Sequence, residues 1–257
     1  MKVVFHDNFL QTYVRDPAAS AGRLDHALAG VKKRYPLVTP KPCSDDDVLI
    51  VHTRNHLEDV KMEEHVYSMA LLAAGATIKS SELAMEGEFS FALCRPPGHH
   101  ASPNHCWGFC YFNNVAIAVQ KLIQKERIGS ALIIDYDLHF GDGTSNIFSN
   151  NSKVEYRHIN GANRASFIKN LEECLDSISA DLVAVSAGYD RHQADWGHLL
   201  ATEDYETMGA MLGAYALKNC NGRLFAALEG GYNSKSLGDS VVAFLEGLES
   251  SKLSKLE

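Results

Sequence analysis

The residues in this chain that could do chemistry gather where short apolar runs end. Ile133-Ile134 leads into Asp135-Tyr136-Asp137-Leu138-His139. Side chains two apart on a strand share a face, so Asp135, Asp137 and His139 point the same way. Two acids and an imidazole beside an apolar run are costly to bury unless a cation or a proton pairs them. Taken alone, the run equally suits a solvated strand end whose acids cap the next helix. After Cys94 the chain reads Arg95-Pro96-Pro97-Gly98-His99-His100, in which two prolines and a glycine fix the backbone ahead of adjacent histidines. Rigid delivery of two imidazoles suits proton transfer near neutral pH, although a surface turn could also carry them. Ser186-Ala187-Gly188-Tyr189-Asp190 and Glu229-Gly230-Gly231-Tyr232 add an acid and a phenol at two further run ends.

If the run ends converge, Asp137, His139 and Asp190 become metal ligands, His99 and His100 an acid and base, and Tyr232 a phenol donor. Two carboxylates and one imidazole with an open fourth position describe a catalytic rather than a structural metal site. Two aspartates nearly cancel a divalent charge, which leaves more of the work to an adjacent base than an all-histidine site would. Asp135 and Asp142 are placed to accept the second ring N–H of the histidines and so fix their tautomers.

The elements that must position these groups read as an alternation. Residues 3–5, 48–51, 89–94, 131–134, 182–185 and 224–228 are short, unbroken and apolar, as strands covered on both faces should be. Residues 22–34, 58–78, 114–125, 166–178, 202–217 and 236–248 predict helices, and 146–152 a polar loop. The alternation implies an α/β fold, a parallel sheet with helices on both faces, formed by residues 1–257 as a single domain. In such sheets ligands gather beyond the carboxyl ends of the strands, where the unusual residues fall.

Composition narrows the function. A net charge of −8 argues against a general nucleic-acid binder, and no apolar run approaches a membrane span, so a cytoplasmic protein is expected. The six cysteines lack paired spacing, which suits a reducing compartment; Cys106, Cys110 and His105 have no second pair at zinc-finger spacing and read as thiols around a turn. His6 and His192 read as solvated or core rather than as the rim of a site, Asp45-Asp46-Asp47 as a solvated turn before a strand, and Met62 and Met69, seven apart, as core.

Together the motifs resemble the histone deacetylase and acetylpolyamine amidohydrolase family, built on the arginase-like α/β fold. Asp16 to Leu24 looks like that family's early loop, and 95–101, 108–114, 135–144, 186–190 and 229–233 follow in order. The resemblance implies Zn²⁺ held by Asp137, His139 and Asp190, although Fe²⁺ or Co²⁺ suits the same ligands. It implies that His99 and His100 activate water and protonate the leaving amine, that Tyr232 polarises the acyl carbonyl, and that Gly108 and Phe109, with the Gly230–Gly231 pair, line the substrate tunnel. The implied substrate is an acylated amine: acetyl-lysine on protein, acetylpolyamine or another small amide.

The chain departs from the family pattern in several places. Phe140 stands where many relatives carry a second histidine. Only about forty residues separate Asp142 from Ser186, a shortened segment in which no second tunnel aromatic is found. The stretch 153–161 lacks the serine of the family's monovalent-cation position, which argues against a potassium site near Asp135. No obvious glutamate serves as the acidic gatekeeper of polyamine-selective relatives, the sequence there being Asp195-Trp196-Gly197-His198. The expectation is therefore a wide pocket mouth, or one completed by a second subunit of a homo-oligomer. The competing readings are a metal- or acyl-binding module without turnover, and a dinuclear hydrolase that would need more bridging acids than this set supplies.

Overall fold

The computed structural model describes residues 1–253. Seven strands form one all-parallel sheet: β1 (Lys2–Val4), β2 (Leu37–Val38), β3 (Ser90–Ala92), β4 (Ala131–Asp135), β5 (Val154–His158), β6 (Val183–Ala187) and β7 (Leu224–Leu228), in the spatial order β2-β1-β3-β7-β6-β4-β5. The helices are α1 (Asp25–Lys32), α2 (Asp45–Val48), α3 (Arg54–Lys61), α4 (Glu64–Met85), α5 (Asn114–Gln124), α6 (Asp142–Phe148), α7 (Arg164–Ser177), α8 (Thr202–Asn219) and α9 (Ser234–Leu253). This is the expected parallel α/β architecture.

Successive residues of β3 show how both faces are covered. The Ser90 hydroxyl donates to the Ser80 carbonyl of α4, whereas the next side chain, Phe91, packs on Phe244 of α9 with ring centroids 6.3 Å apart. One face thus carries α4 beside α5, and the other α1, α8 and α9. The central strands β4, β6 and β7 are buried along their whole length. That burial is why they read as continuous apolar runs rather than alternating ones.

Some elements depart from the sequence reading. Residues 48–51 are not a strand: Ser44 caps α2, its hydroxyl accepting from Asp47 N–H while the Asp47 carboxylate accepts from Ser44 N–H. This reciprocal cap overrides the β-branched run that follows, and it makes Asp45–Asp47 a helical first turn, with Asp47 paired to Lys121. The helix predicted over 58–78 is two helices. Thr53 caps α3, and the chain turns at Met62 and Glu63 without glycine or proline; Met62 lies 85% exposed while Met69 is buried. The loop predicted over 146–152 begins as the end of α6. The two-residue β2 and the half-polar β5 lie at the sheet edges, where alternation is weak, and were not predicted.

Candidate active site

β3, β7, β6 and β4 are consecutive neighbours in the sheet. The segments leaving their carboxyl ends, 95–100, 229–232, 188–190 and 135–142, therefore meet. Ligand atoms of Asp137, His139 and Asp190 lie within 4.8 Å of one another. The Nδ1 of His139 is 3.4 Å from Asp137 Oδ1 and 3.3 Å from Asp190 Oδ2.

His99 Nε2 lies 3.7 Å from Asp137 Oδ1, and backbone donors fix the orientation of both carboxylates. Gly230 N–H binds Asp137 Oδ2 at 2.8 Å, His139 N–H binds Asp137 Oδ1 at 2.9 Å, and Leu138 N–H binds Asp190 Oδ1 at 2.9 Å. Asp190 Oδ2 is buried without a hydrogen-bond partner. Burial and the adjacent Asp137 carboxylate push the Asp190 pKa above the usual carboxylate range, and the two acids raise that of His139 to about 9. Two carboxylates competing for compensating charge, with an orphaned oxygen between them, are what a divalent cation would satisfy. Gly230 is required at this point: a Cβ there would sit 2.6 Å from Asp137 Oδ2 and 2.7 Å from Asp190 Oδ2.

The tandem histidines are placed by a network that begins below them. His52 is buried with Nδ1 donating to the Ser102 carbonyl and Nε2 accepting from Asn113 N–H, so both ring nitrogens are used in the neutral form. Asn113 in turn caps α5 and donates to the Ala101 carbonyl and to Thr144. His99 Nδ1 pairs with Asp135 Oδ2 at 3.1 Å, and His100 Nδ1 with Asp142 Oδ1 at 2.6 Å. The two imidazoles differ electrostatically. Burial opposes charge on His99, but Asp137 and Asp135 outweigh it and hold its pKa well above the usual histidine range. Burial and the neighbouring His99 push His100 down to about 4.

Gly108 and Phe109 both sit in the left-handed region, at φ 59° and 65°. A Cβ on Gly108 would lie 2.5 Å from the His100 ring. Phe109 has no such excuse, and an aromatic held there costs about 1–3 kcal/mol; the turn spends that strain to bring its ring to 6.0 Å from Tyr232. Pro97, His99, His100, Trp107, Gly108, Phe109, His139, Trp196, Gly230 and Tyr232 line a cavity of about 270 Å³. Nearly all the sequence-predicted site residues thus lie in this cavity or directly behind it. Gly231, at φ 116°, packs on Tyr189 and accepts from Arg23 instead.

Several contributors carried no recognised signal. Trp196, beyond the shortened segment, stacks on Tyr232 at 3.9 Å and lines the cavity as a second aromatic beside Phe109. Asp195, beside it, accepts the Tyr232 and Asn233 N–H groups, each at 2.7 Å, and so sets the phenol's loop. Trp107 covers His100 at 3.9 Å and donates its indole N–H to Asp142 Oδ2 at 2.9 Å. Tyr156 on β5 donates to Asp135 Oδ2 and accepts from Gly141 N–H. Glu229 accepts from the N–H groups of Gly98 and His99, and burial raises its pKa to about 7. Arg23 donates to the carbonyls of Glu229 and Gly231 and lies over the Tyr232 ring. Phe140 packs edge-on against Tyr156 and His158, away from the ligand atoms. His6 caps a 3₁₀ turn and His192 is buried on Tyr205, so neither lines the cavity.

The profile of a family described as "Histone deacetylase domain" matches residues 18–167 and 158–248. A "Probable deacetylase" of Archaeoglobus fulgidus is 30% identical over an alignment of 299 residues that covers 90% of this chain and 81% of that protein. A "Probable deacetylase" of Methanothermobacter thermautotrophicus is 29% identical, covering 82% and 78%. A "Histone deacetylase-like amidohydrolase" of Pseudomonas aeruginosa is 25% identical, covering 87% and 74%. The solved HDA15 HD domain superposes with a TM-score of 0.85 at 25% identity, over 97% of this chain and 89% of that one.

Proposed function

The chain belongs to the histone deacetylase family, and from that premise we propose that it is a metal-dependent amidohydrolase that hydrolyses an N-acyl amine, an acetylated lysine side chain or a small acetylated amine, to the free amine and a carboxylate. The observation that carries this reading is the meeting of four strand ends around one cavity. They set the Asp137, His139 and Asp190 ligand atoms within 4.8 Å of one another, with His99, His100 and Tyr232 lining the same cavity.

Asp137, His139 and Asp190 would hold the ion, Zn²⁺ or another divalent metal of the same preference, and when bound it supplies Lewis acidity to the scissile carbonyl. His100, neutral and with Nδ1–H held by Asp142, presents Nε2 as the base that takes a proton from the attacking water. The same nitrogen then returns that proton to the leaving amine. His99, kept cationic by its acids, stabilises negative charge as it develops on the adducted oxygen. The Tyr232 hydroxyl, whose pKa burial raises, stays protonated and donates to that oxygen. Phe109, Trp107 and Trp196 clasp the alkyl arm and keep water from it.

Metal-reconstituted protein incubated with acetyl-lysine peptides and small acetylated amines, with acetate as the readout, tests this. Acetate is expected to appear, to stop with a chelator and return with Zn²⁺, and to fall about 10²–10³-fold in Tyr232→Phe, the loss of one oxyanion donor. An ion-loaded protein that turns over none of these amides would refute the proposal.

A further inference from the structure

β4 stops pairing with β5 at Asp135 and His158, yet the next residues carry two of the ligand side chains into the site. Their carbonyls leave the sheet ladder in a dry interior, where unpaired acceptors are expensive. Those of Tyr136, Asp137 and Leu138 turn to one group. Arg191, only 4% exposed, places Nε 3.2 Å from the Tyr136 oxygen and 3.0 Å from the Asp137 oxygen. Its terminal nitrogen lies 3.3 Å from the Leu138 oxygen, 3.4 Å from the Ile159 oxygen and 3.1 Å from His158 Nε2. A ring of inward carbonyls is the usual cradle of a bare alkali or alkaline-earth cation; here a guanidinium fills it. Arg191 also follows Asp190 directly, so one side chain ties the segment bearing Asp137 and His139 to the segment bearing the third ligand.

We infer that Arg191 is a positioning residue that acts as a built-in cation, fixing the ligand-bearing backbone and removing any need for a monovalent cation from solution. The sign of the surrounding charge agrees: the acids that attract the guanidinium are Asp135, Asp137 and Asp190. The planar fork explains why arginine is used: it reaches four carbonyls and an imidazole in fixed directions, which a lysine ammonium cannot.

The inference rests on Asp137, His139 and Asp190 being ligands, so the test reads ion binding separately from turnover. The metal-loaded protein is assayed at about 0.1 M ionic strength in tetramethylammonium, sodium or potassium chloride, and ion affinity is measured by chelator competition. Wild type is expected to hold its ion and to change rate less than about twofold among the three salts. Arg191→Ala should bind the ion about 10–100-fold more weakly, the usual cost of losing support behind a ligand, with kcat falling more than KM rises. Potassium or added guanidinium should restore part of both. Arg191→Lys, which keeps the charge without the fork, should lie between and covers the case in which the alanine variant fails to fold. A wild-type rate that climbs severalfold with potassium would overturn the inference. So would an Arg191→Ala protein that binds the ion normally, or whose loss neither cation repairs. A wild type that retains no ion would instead sink the metal reading beneath it.

Discussion

Trp107→Phe isolates one hydrogen bond behind the proposed base. The indole N–H donates to Asp142 Oδ2 at 2.9 Å, while Asp142 Oδ1 holds His100 Nδ1 at 2.6 Å. A phenyl ring at 107 keeps the face that covers His100 but removes the donor. A hydrogen bond to a carboxylate is worth about 1.5–3 kcal/mol, but Trp107 is 51% exposed, and water screens and replaces part of that. About 1 kcal/mol remains to orient Asp142, and through it His100, which corresponds to about fivefold in rate. The loss should appear in kcat with KM nearly unchanged, because the indole N–H is committed to Asp142 and not to substrate. Stopped-time acetate assays on the metal-loaded protein measure it. In an Asp142→Asn background the same substitution should cost almost nothing, since the two act through one chain of contacts. Full kcat in Trp107→Phe, or an equal loss in both backgrounds, would refute the argument.

Gly230→Ala should weaken ion affinity at least about tenfold with the far-ultraviolet spectrum unchanged, because its Cβ would lie 2.6 Å from one ligand oxygen and 2.7 Å from another; chelator competition checks this. Tyr156→Phe strips a donor from Asp135 and leaves Gly141 N–H unpaired, which should cost about 1–3 kcal/mol, or several degrees in thermal midpoint, and lower kcat through His99. His52 gives a pH signature. Burial and the nearby His56 push its pKa down to about 3, against about 6.5 in an unfolded chain. Below that upper value the unfolded state binds more protons, so stability falls as pH drops from about 6.5 toward 3, with a limiting slope of about 1.4 kcal/mol per unit from this residue. Urea midpoints in His52→Gln should show an acid limb shallower by about one proton; an unchanged limb would disprove it.

The architecture was legible because burial on both faces of a parallel sheet writes itself as unbroken apolar runs, and β4, β6 and β7 are such runs. Legibility failed where a local cap competed with pattern. Ser44 and Asp47 start α2 just ahead of the β-branched segment, which continues as turns, and Thr53 starts α3 before the predicted helix, whose periodicity breaks at Met62 and Glu63. The edge strand β5 escaped because Glu155 and Arg157 meet solvent, although Tyr156 between them reaches Asp135.

The proposed ligands and proton-transfer groups drew notice in the sequence because each follows a strand, where polar chemistry and an apolar run are neighbours. Their supports did not. Trp107, Tyr156, Arg191, Asp195 and Glu229 reach their targets from four different segments, and none shows a spacing that distinguishes it from an ordinary loop or strand residue. Arg191 makes the point most sharply. In sequence it is a charged residue after an aspartate, the kind usually left in water. Its burial follows only from where β4 stops pairing, since carbonyls stranded next to three acids need a donor that is also a cation. The chain supplies it one residue beyond the third of the proposed ligands. A site assembled in this way depends on the fold for its charge balance as much as for its geometry, so substitutions at these supports should alter ion affinity and kcat before they alter substrate binding.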